Sequence, residues 1–169
     1  MPGETVIDAT CGSGRDTLFL ARLVGSAGRV WAFDVQEEAM TATGDLLRDA
    51  GCLPWVTLVR SGHERIADHV SEPVRAVVFN LGFLPGCDHR IVTTVETTRA
   101  ALEQVSELLL PGGIISIAVY TGHPGGAEEG AAVEQWAAGL SPRCFNTWKS
   151  RQLNRSESAP YLVLAEKLR

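Results

Sequence analysis

The stretch Thr5-Val6-Ile7-Asp8-Ala9-Thr10-Cys11-Gly12-Ser13-Gly14 joins a short apolar run to a glycine-rich turn. A pattern typical of a helix follows from Asp16 to Val24. Glycine lets the backbone approach a ligand closely, and the first turn of a helix offers unpaired N–H groups that carry a partial positive charge. The stretch therefore predicts a strand, a ligand-binding turn and a helix in succession.

Apolar runs and helical patterns alternate along the rest of the chain. The pattern predicts strands at Thr5–Ala9, Arg29–Asp34, Val56–Arg60, Ala76–Asn80 and Ile114–Tyr120, and helices at Asp16–Val24, Glu37–Ala50, Gly62–Val70, Thr93–Leu110 and Ala127–Leu140. These strands are mainly apolar rather than alternating, as expected when helices cover both faces of a parallel sheet. Two further strand-like runs, Phe145–Arg151 and Tyr161–Glu166, lack a helix between them, which permits an antiparallel pair. We predict one α/β domain over residues 1–169, with a doubly wound, mostly parallel seven-stranded sheet and one reversed strand near its edge.

Composition excludes several classes of protein. The 169 residues are 45% hydrophobic and 21% charged, and no apolar run approaches the roughly 20 residues that span a bilayer. We expect no membrane association and, without a recognisable signal peptide, a cytoplasmic protein. The four cysteines show no C-x-x-C spacing, which predicts reduced thiols and no metal site.

Charge is distributed unevenly along the chain. Residues 1–139 hold 9 basic against 18 acidic side chains, net −9, whereas residues 140–169 hold 6 against 2, net +4. The basic end could contact phosphates, although a solvated basic surface is an equally ordinary explanation.

Asp34 ends the second predicted strand, twenty residues after Gly14. A carboxylate there can accept hydrogen bonds from both hydroxyls of a ribose, so the turn and Asp34 together indicate an adenosine cofactor. NAD and S-adenosylmethionine both satisfy this pattern. Thr17 replaces the third glycine of G-x-G-x-x-G, which disfavours the dinucleotide. The turn at 108–113 and the reversed strand resemble those of class I methyltransferases and favour S-adenosylmethionine.

Longer motifs make the resemblance more specific. The chain carries D-A-T-x-G-x-G-x-D-T at 8–17, F-N-L-G-x-L-P at 79–85, D-H at 88–89, T-T at 97–98 and Y-x-G-H-x-G-G-x-E-E at 120–129. In this order the motifs resemble the small bacterial family labelled "putative rRNA methylase". Two features differ from the family pattern: glycine is present at position 62 within the usual S-H-E, and the sequence begins only a few residues ahead of the first strand, where the family usually has an N-terminal helical segment. We expect either a truncated start or a missing lid over the cofactor.

The resemblance implies methylation of tRNA at the wobble uridine, on the 5-aminomethyl group of a 2-thiouridine. Four alternatives stay open at this point: rRNA methylation, small-molecule methylation, NAD-dependent oxidoreduction, and a cofactor-binding module without catalysis. A homodimer is also possible, with Trp136 and Trp148 either in the core or in a subunit contact.

The resemblance also implies a set of site residues. Cofactor contacts are expected from Asp8, Thr10, Gly12, Gly14, Asp16, Thr17, Asp34, Gln36, Ser61, His63, Asn80 and Leu81. Asn80 ends the fourth strand beside the expected methyl group and is the candidate catalytic positioning residue, with Asp88 and His89 as candidate proton acceptors. Phe83, Tyr120, His123 and Arg151 are candidate substrate contacts. Each of these residues also has a purely structural alternative, as a loop anchor or a core side chain. Glu128 and Glu129 are expected as helix-capping charges.

Overall fold

The computed structural model describes residues 2–82 and 91–169. Its strands are β1 Thr5–Asp8, β2 Arg29–Asp34, β3 Val56–Arg60, β4 Val74–Asn80, β5 Leu109–Val119, β6 Phe145–Ser150 and β7 Tyr161–Lys167. The α-helices are α1 Arg15–Val24, α2 Glu37–Asp49, α3 Val95–Leu108 and α4 Gly126–Gly139, and short 3-10 helices lie at Leu53–Trp55 and His63–Asp68. No helix within these ranges is long and apolar enough to cross a membrane.

The seven strands form one sheet in the order β3-β2-β1-β4-β5-β7-β6. The first five strands are mutually parallel, and β7 runs antiparallel to both β5 and β6. The predicted parallel sheet with a reversed strand near its edge is therefore confirmed. The order reverses between β1 and β4, and a crevice at such a switch point is where open α/β sheets bind ligands.

Helices cover both faces of the sheet, and the core is correspondingly divided in two. Val6 and Ile7 are adjacent on β1 and both fully buried, yet they belong to different apolar clusters on opposite faces. One cluster packs under α1 and α2, and the other packs under α3 and α4. Burial on both faces explains why the middles of these strands are mainly apolar on both faces rather than alternating between apolar and polar residues.

The structure corrects the predicted helix at Gly62–Val70, refines the predicted turn at 108–113 and removes one of the two alternatives for Trp148. The predicted helix at Gly62–Val70 is a 3-10 segment, His63–Asp68, which is interrupted by non-helical backbone angles at Arg65. The predicted turn at 108–113 is instead the irregular beginning of β5, where its register against β4 shifts. Trp148 is 48% exposed on the edge strand β6 and so is not a core residue. A subunit contact at Trp148 stays a prediction.

Gly14 fixes the distance between the glycine-rich turn and α2. It caps α1 in the left-handed region, with φ 80°, and a Cβ atom there would lie 2.9 Å from the backbone Cα of Thr43. Thr43 also donates a hydrogen bond from Oγ1 to the carbonyl of Gly12 over 3.1 Å. Only glycine fits both the left-handed backbone angle at position 14 and the close approach to Thr43, so the turn packs directly against α2.

We expect Gly14→Ala to lower the free energy of unfolding by about 2 to 4 kcal/mol, through left-handed strain and overpacking together. Gly125→Ala is the matched control, because Gly125 also caps a helix at φ 82° but has open space around it. It should cost only about 1 kcal/mol. Urea unfolding of both variants measures the difference. Equal losses would show that the close approach to Thr43 contributes nothing.

Candidate active site

A cavity of about 560 Å³ opens at the carboxyl ends of β1, β2 and β4, beside the switch point. Its walls come from the glycine-rich turn, the ends of these strands, and the segments that precede α3 and α4. Among the described residues its lining comprises Ala9, Thr10, Cys11, Gly12, Ser13, Arg15, Asp16, Asp34, Val35, Gln36, Ser61, His63, Asn80, Leu81, Gly82, Ile91, Val92, Thr93, Thr97, Tyr120 and His123. The size lies within the range of small-molecule and cofactor sites.

Asp34 binds the glycine-rich turn to the end of β2. Its carboxylate accepts hydrogen bonds from the backbone N–H of Gly12 and of Gln36, each over 3.0 Å. A carboxylate offers about four acceptor positions, so these two bonds leave capacity for a ligand. Asp34 is therefore both an anchor for the turn and an acceptor that lines the cavity.

Asp8 lies beneath the turn, fully buried. It accepts hydrogen bonds from Thr17 Oγ1 over 2.6 Å and from the backbone N–H of Thr10 over 3.2 Å. Burial raises the pKa of Asp8 from 3.8 to about 7, although these two bonds oppose the rise. The carboxyl thus supports the turn from below and titrates near neutral pH.

The charges around the turn suit a cationic ligand better than an anionic one. Asp8, Asp16 and Asp34 lie close enough for the last two to raise the pKa of the first. A pyrophosphate at this helix start would meet three carboxyl groups, whereas a sulfonium would be attracted by them. Burial also raises the pKa of the Cys11 thiol, so this cavity-lining cysteine stays protonated and is not a nucleophile.

His63 lines the same cavity and carries a buried polar atom. The side chain is 6% exposed, its ring packs edge-on against Phe79, and its Nε2 has no hydrogen-bond partner within residues 2–82 and 91–169. Burial lowers the pKa of His63, which keeps the ring neutral. Buried polar atoms are rarely left unbonded, so the unbonded Nε2 marks His63 as a side chain whose position packing alone does not explain.

Asn80 and Asp16 form a polar pair in the cavity wall. The Asn80 side-chain amide donates through Nδ2 to Asp16 Oδ2 over 2.5 Å, and its backbone N–H donates to Thr10 Oγ1 over 2.7 Å. Only an amide NH₂ can pair with a carboxylate, so Asp16 fixes which way the amide points. The carbonyl oxygen of Asn80 is then held in a defined orientation as an acceptor.

The sequence predicted only some of the residues that line the cavity on the side of the segments preceding α3 and α4. Tyr120 and His123, predicted from the sequence, do line it. Ile91, Val92, Thr93 and Thr97 line it as well and were not expected. Ile91, Val92 and Thr93 carry no motif, and they reach the site where Thr93 is hydrogen-bonded to Gly82, just beyond the end of β4. Thr97, within the T-T motif, was the one available signal.

Most of the predicted site residues converge on this cavity. Three of the predicted residues are absent from the cavity lining: Asp8 and Thr17, which are buried beneath the turn, and Gly14, which is part of the turn itself. Arg151 is exposed just beyond the edge strand β6 and does not line the cavity either. Phe83, Asp88 and His89 lie outside the described residues. Glu128 and Glu129 both lie in the first turn of α4, as predicted for charges at a helix start, and Glu129 is also buried, at 2% exposed.

Solved structures with this fold define its class. A crystal structure of a "putative rRNA-methylase" from Clostridium thermocellum matches with TM-score 0.96 and 43% identity over 99% of this chain and 90% of its own. A "putative methyltransferase" from Streptococcus mutans in complex with SAH matches with TM-score 0.89 and 37% identity, over 99% and 90% of the two chains. The sheet order, the reversed strand and these neighbours define a class I methyltransferase fold.

Sequence comparison then names the family. The chain belongs to the family described as "Putative rRNA methylase", whose profile matches residues 30–166. A "tRNA (mnm(5)s(2)U34)-methyltransferase, chloroplastic" from Arabidopsis thaliana is 42% identical over 95% of this chain. The chain spans 62% of the length of that relative.

Titration of Asp8 should be visible in the stability of the protein. The pKa of Asp8 is about 7 in the folded protein and 3.8 in the unfolded chain. The contribution of Asp8 to the free energy of unfolding is therefore fully present below about pH 4 and is lost as the pH rises through 7. Asp8→Asn does not titrate, so its stability relative to wild type should increase by up to about 4 kcal/mol between those limits. Urea unfolding across this pH range tests the prediction. A constant difference at every pH would contradict it.

Proposed function

We propose that the chain is an S-adenosylmethionine-dependent RNA methyltransferase that methylates the 5-aminomethyl group of wobble 2-thiouridine in tRNA, in the cytosol. The observation that carries this proposal is the pair Asn80 and Asp16, placed in one cavity with the glycine-rich turn and Asp34. One side of the cavity offers acceptors for a ribose, and the other offers acceptors for an amine.

The cofactor assignment rests on the fit of the cavity and on the relatives. Asp34, the turn at 10–14 and His63 would hold the nucleoside, and the surrounding carboxyl groups favour a positive charge. The Streptococcus mutans relative was solved in complex with SAH, the demethylated form of this cofactor. When bound, S-adenosylmethionine supplies an activated methyl group, so no covalent enzyme intermediate is needed.

An alkyl amine substrate imposes a requirement on the protein. With a lysine-like pKa near 10.4, it is mostly protonated at pH 7, and freeing its lone pair costs about 4 kcal/mol. The Asn80 carbonyl, oriented by Asp16, can accept one N–H of the amine and direct the lone pair toward the methyl group. The Asp16 carboxylate attracts the cationic form of the amine into the site. Asp88 and His89 stay the predicted proton acceptors.

Recognition of RNA needs a stacking surface and contacts to phosphate. Tyr120 is 44% exposed at the cavity and is suited to stacking on an unpaired base. The basic end of the chain contributes exposed side chains at Arg151 and Arg155 beyond β6. Their phosphate contacts would make binding weaken as salt concentration rises. The Arabidopsis relative, which is named for this tRNA reaction, supports tRNA as the substrate.

The test is methyl transfer to tRNA that carries 5-aminomethyl-2-thiouridine, read by mass spectrometry of the digested nucleosides. We expect the mass of one methyl group to be added to that nucleoside and to no other. Ribosomal RNA lacking its modifications, and small amines, serve as competing substrates. Methylation of ribosomal RNA alone would support the substrate in the family description instead, and binding of cofactor without any transfer would indicate a binding module.

Asp34→Ala should weaken binding of S-adenosylmethionine by roughly 10- to 100-fold, because a charged acceptor is lost from the ribose site. Glu37→Ala is the control. Glu37 is an exposed carboxylate three residues away, paired with Arg60 and absent from the cavity lining. Titration calorimetry measures both affinities. An unchanged affinity in folded Asp34→Ala would remove Asp34 from the site.

Asn80→Ala should lower kcat on the order of 100-fold while leaving cofactor affinity within about twofold, because the amine loses its positioning acceptor. Asp16→Ala should lower kcat less, since the Asn80 amide is freed to rotate but is not removed. Single-turnover assays on the tRNA substrate give the rates. Near-normal turnover in Asn80→Ala would reduce Asn80 to an anchor for the strand end.

A further inference from the structure

A buried carboxylate lies behind the substrate side of the cavity and does not line it. Glu129, in the first turn of α4, is 2% exposed. Its two oxygens accept hydrogen bonds from different hydroxyls: Oε1 from Thr98 Oγ1 over 2.6 Å, and Oε2 from Thr93 Oγ1 over 2.8 Å. Burying a carboxylate costs desolvation free energy that a leucine at the same position would not cost. The two hydrogen bonds to Glu129 are therefore the reason to look for a role of this carboxylate.

One of these contacts leads directly to the site. Thr93 Oγ1 donates to Glu129 and accepts from the backbone N–H of Gly82 over 2.8 Å, and the backbone N–H of Thr93 donates to the Gly82 carbonyl over 2.9 Å. Gly82 and Thr93 both line the cavity, and Gly82 is two residues beyond Asn80. A hydroxyl has one proton, so donation to Glu129 obliges Thr93 to act as acceptor for Gly82.

We propose that Glu129 is a positioning residue for methyl transfer, acting through Thr93 on Gly82 and so on the strand end that carries Asn80. This inference rests on the proposed function. We call Glu129, Thr93 and Gly82 the Glu129 relay. It fixes the substrate side of the cavity, whereas Asp34 and the glycine-rich turn fix the cofactor side. Damage to the relay therefore lowers kcat and leaves the affinity for S-adenosylmethionine unchanged.

The chain offers variants that separate this role from general stability. Thr93→Val removes the central hydroxyl and keeps the side-chain shape. Thr98→Val removes a comparable buried hydroxyl bond to Glu129 outside the path to Gly82. Glu129→Gln removes the negative charge and one acceptor oxygen, so the Thr93 hydroxyl either loses its acceptor or keeps only a weaker bond to a neutral amide. Glu128→Gln is the surface control, because Glu128 lies in the same helical turn and is exposed.

The expected result is a fall in kcat of about tenfold or more in Glu129→Gln and in Thr93→Val. The double variant should be no worse than Thr93→Val alone, since both changes break one path. Cofactor affinity should stay within twofold in every variant. Thr98→Val and Glu128→Gln should keep at least half of the wild-type kcat. Additive losses, or wild-type kcat in Thr93→Val, would overturn the proposal.

Hydrogen exchange of the Gly82 amide by NMR gives a second readout that needs no substrate. Its protection should fall in Glu129→Gln and Thr93→Val, while the Leu81 amide, bonded to the carbonyl of Ala118, stays protected. Should wild type fail to methylate tRNA, the proposed function fails, and exchange still decides whether the relay exists. Unchanged Gly82 protection in both variants would refute the relay. Lost protection with normal kcat would refute its role in positioning.

Discussion

Five parallel strands that end at one edge of the sheet are the constraint on which the rest of this structure depends. A parallel pair requires a crossover connection, and the crossovers on the two sides of β1 and β4 leave a crevice where the strand order reverses. Asp34 and Asn80 are 46 positions apart in the numbering yet share this crevice, because each ends its own strand. Both halves of the site follow from that geometry.

The two sides of the cavity are held in different ways. On the cofactor side, backbone N–H groups of the turn bind Asp34, and Gly14 seats the turn against Thr43. On the proposed substrate side, Thr93, which precedes α3, is hydrogen-bonded both to Glu129 of α4 and to Gly82, two residues beyond Asn80. The proposed function therefore predicts that cofactor binding and turnover respond to different mutations.

The electrostatic character of the site is set by carboxyl groups that face or support the turn. Helix starts with glycine turns commonly bind phosphate, because their N–H groups carry a partial positive charge. Here Asp8, Asp16 and Asp34 oppose that preference; burial is the main cause of the raised pKa of Asp8, and the nearby carboxyl groups of Asp16 and Asp34 add to it. The same arrangement attracts a sulfonium and an ammonium, which are the two charged groups that the proposed reaction brings together.

Local sequence patterns predicted the strands, most of the helices and the reversed strand, because periodicity is a property of neighbouring residues. They also indicated an adenosine site, through the glycine-rich turn and Asp34. Resemblance added Asn80, Tyr120 and His123 as site candidates. The sequence did not reveal that Asp8 supports the turn from below, that Asp16 orients Asn80, or that Glu129 is buried. Each of these depends on which residues from distant elements meet, as Glu129 meets Thr93 across 36 positions. This contact depends on the packing of α3 against α4, which no local sequence pattern predicts.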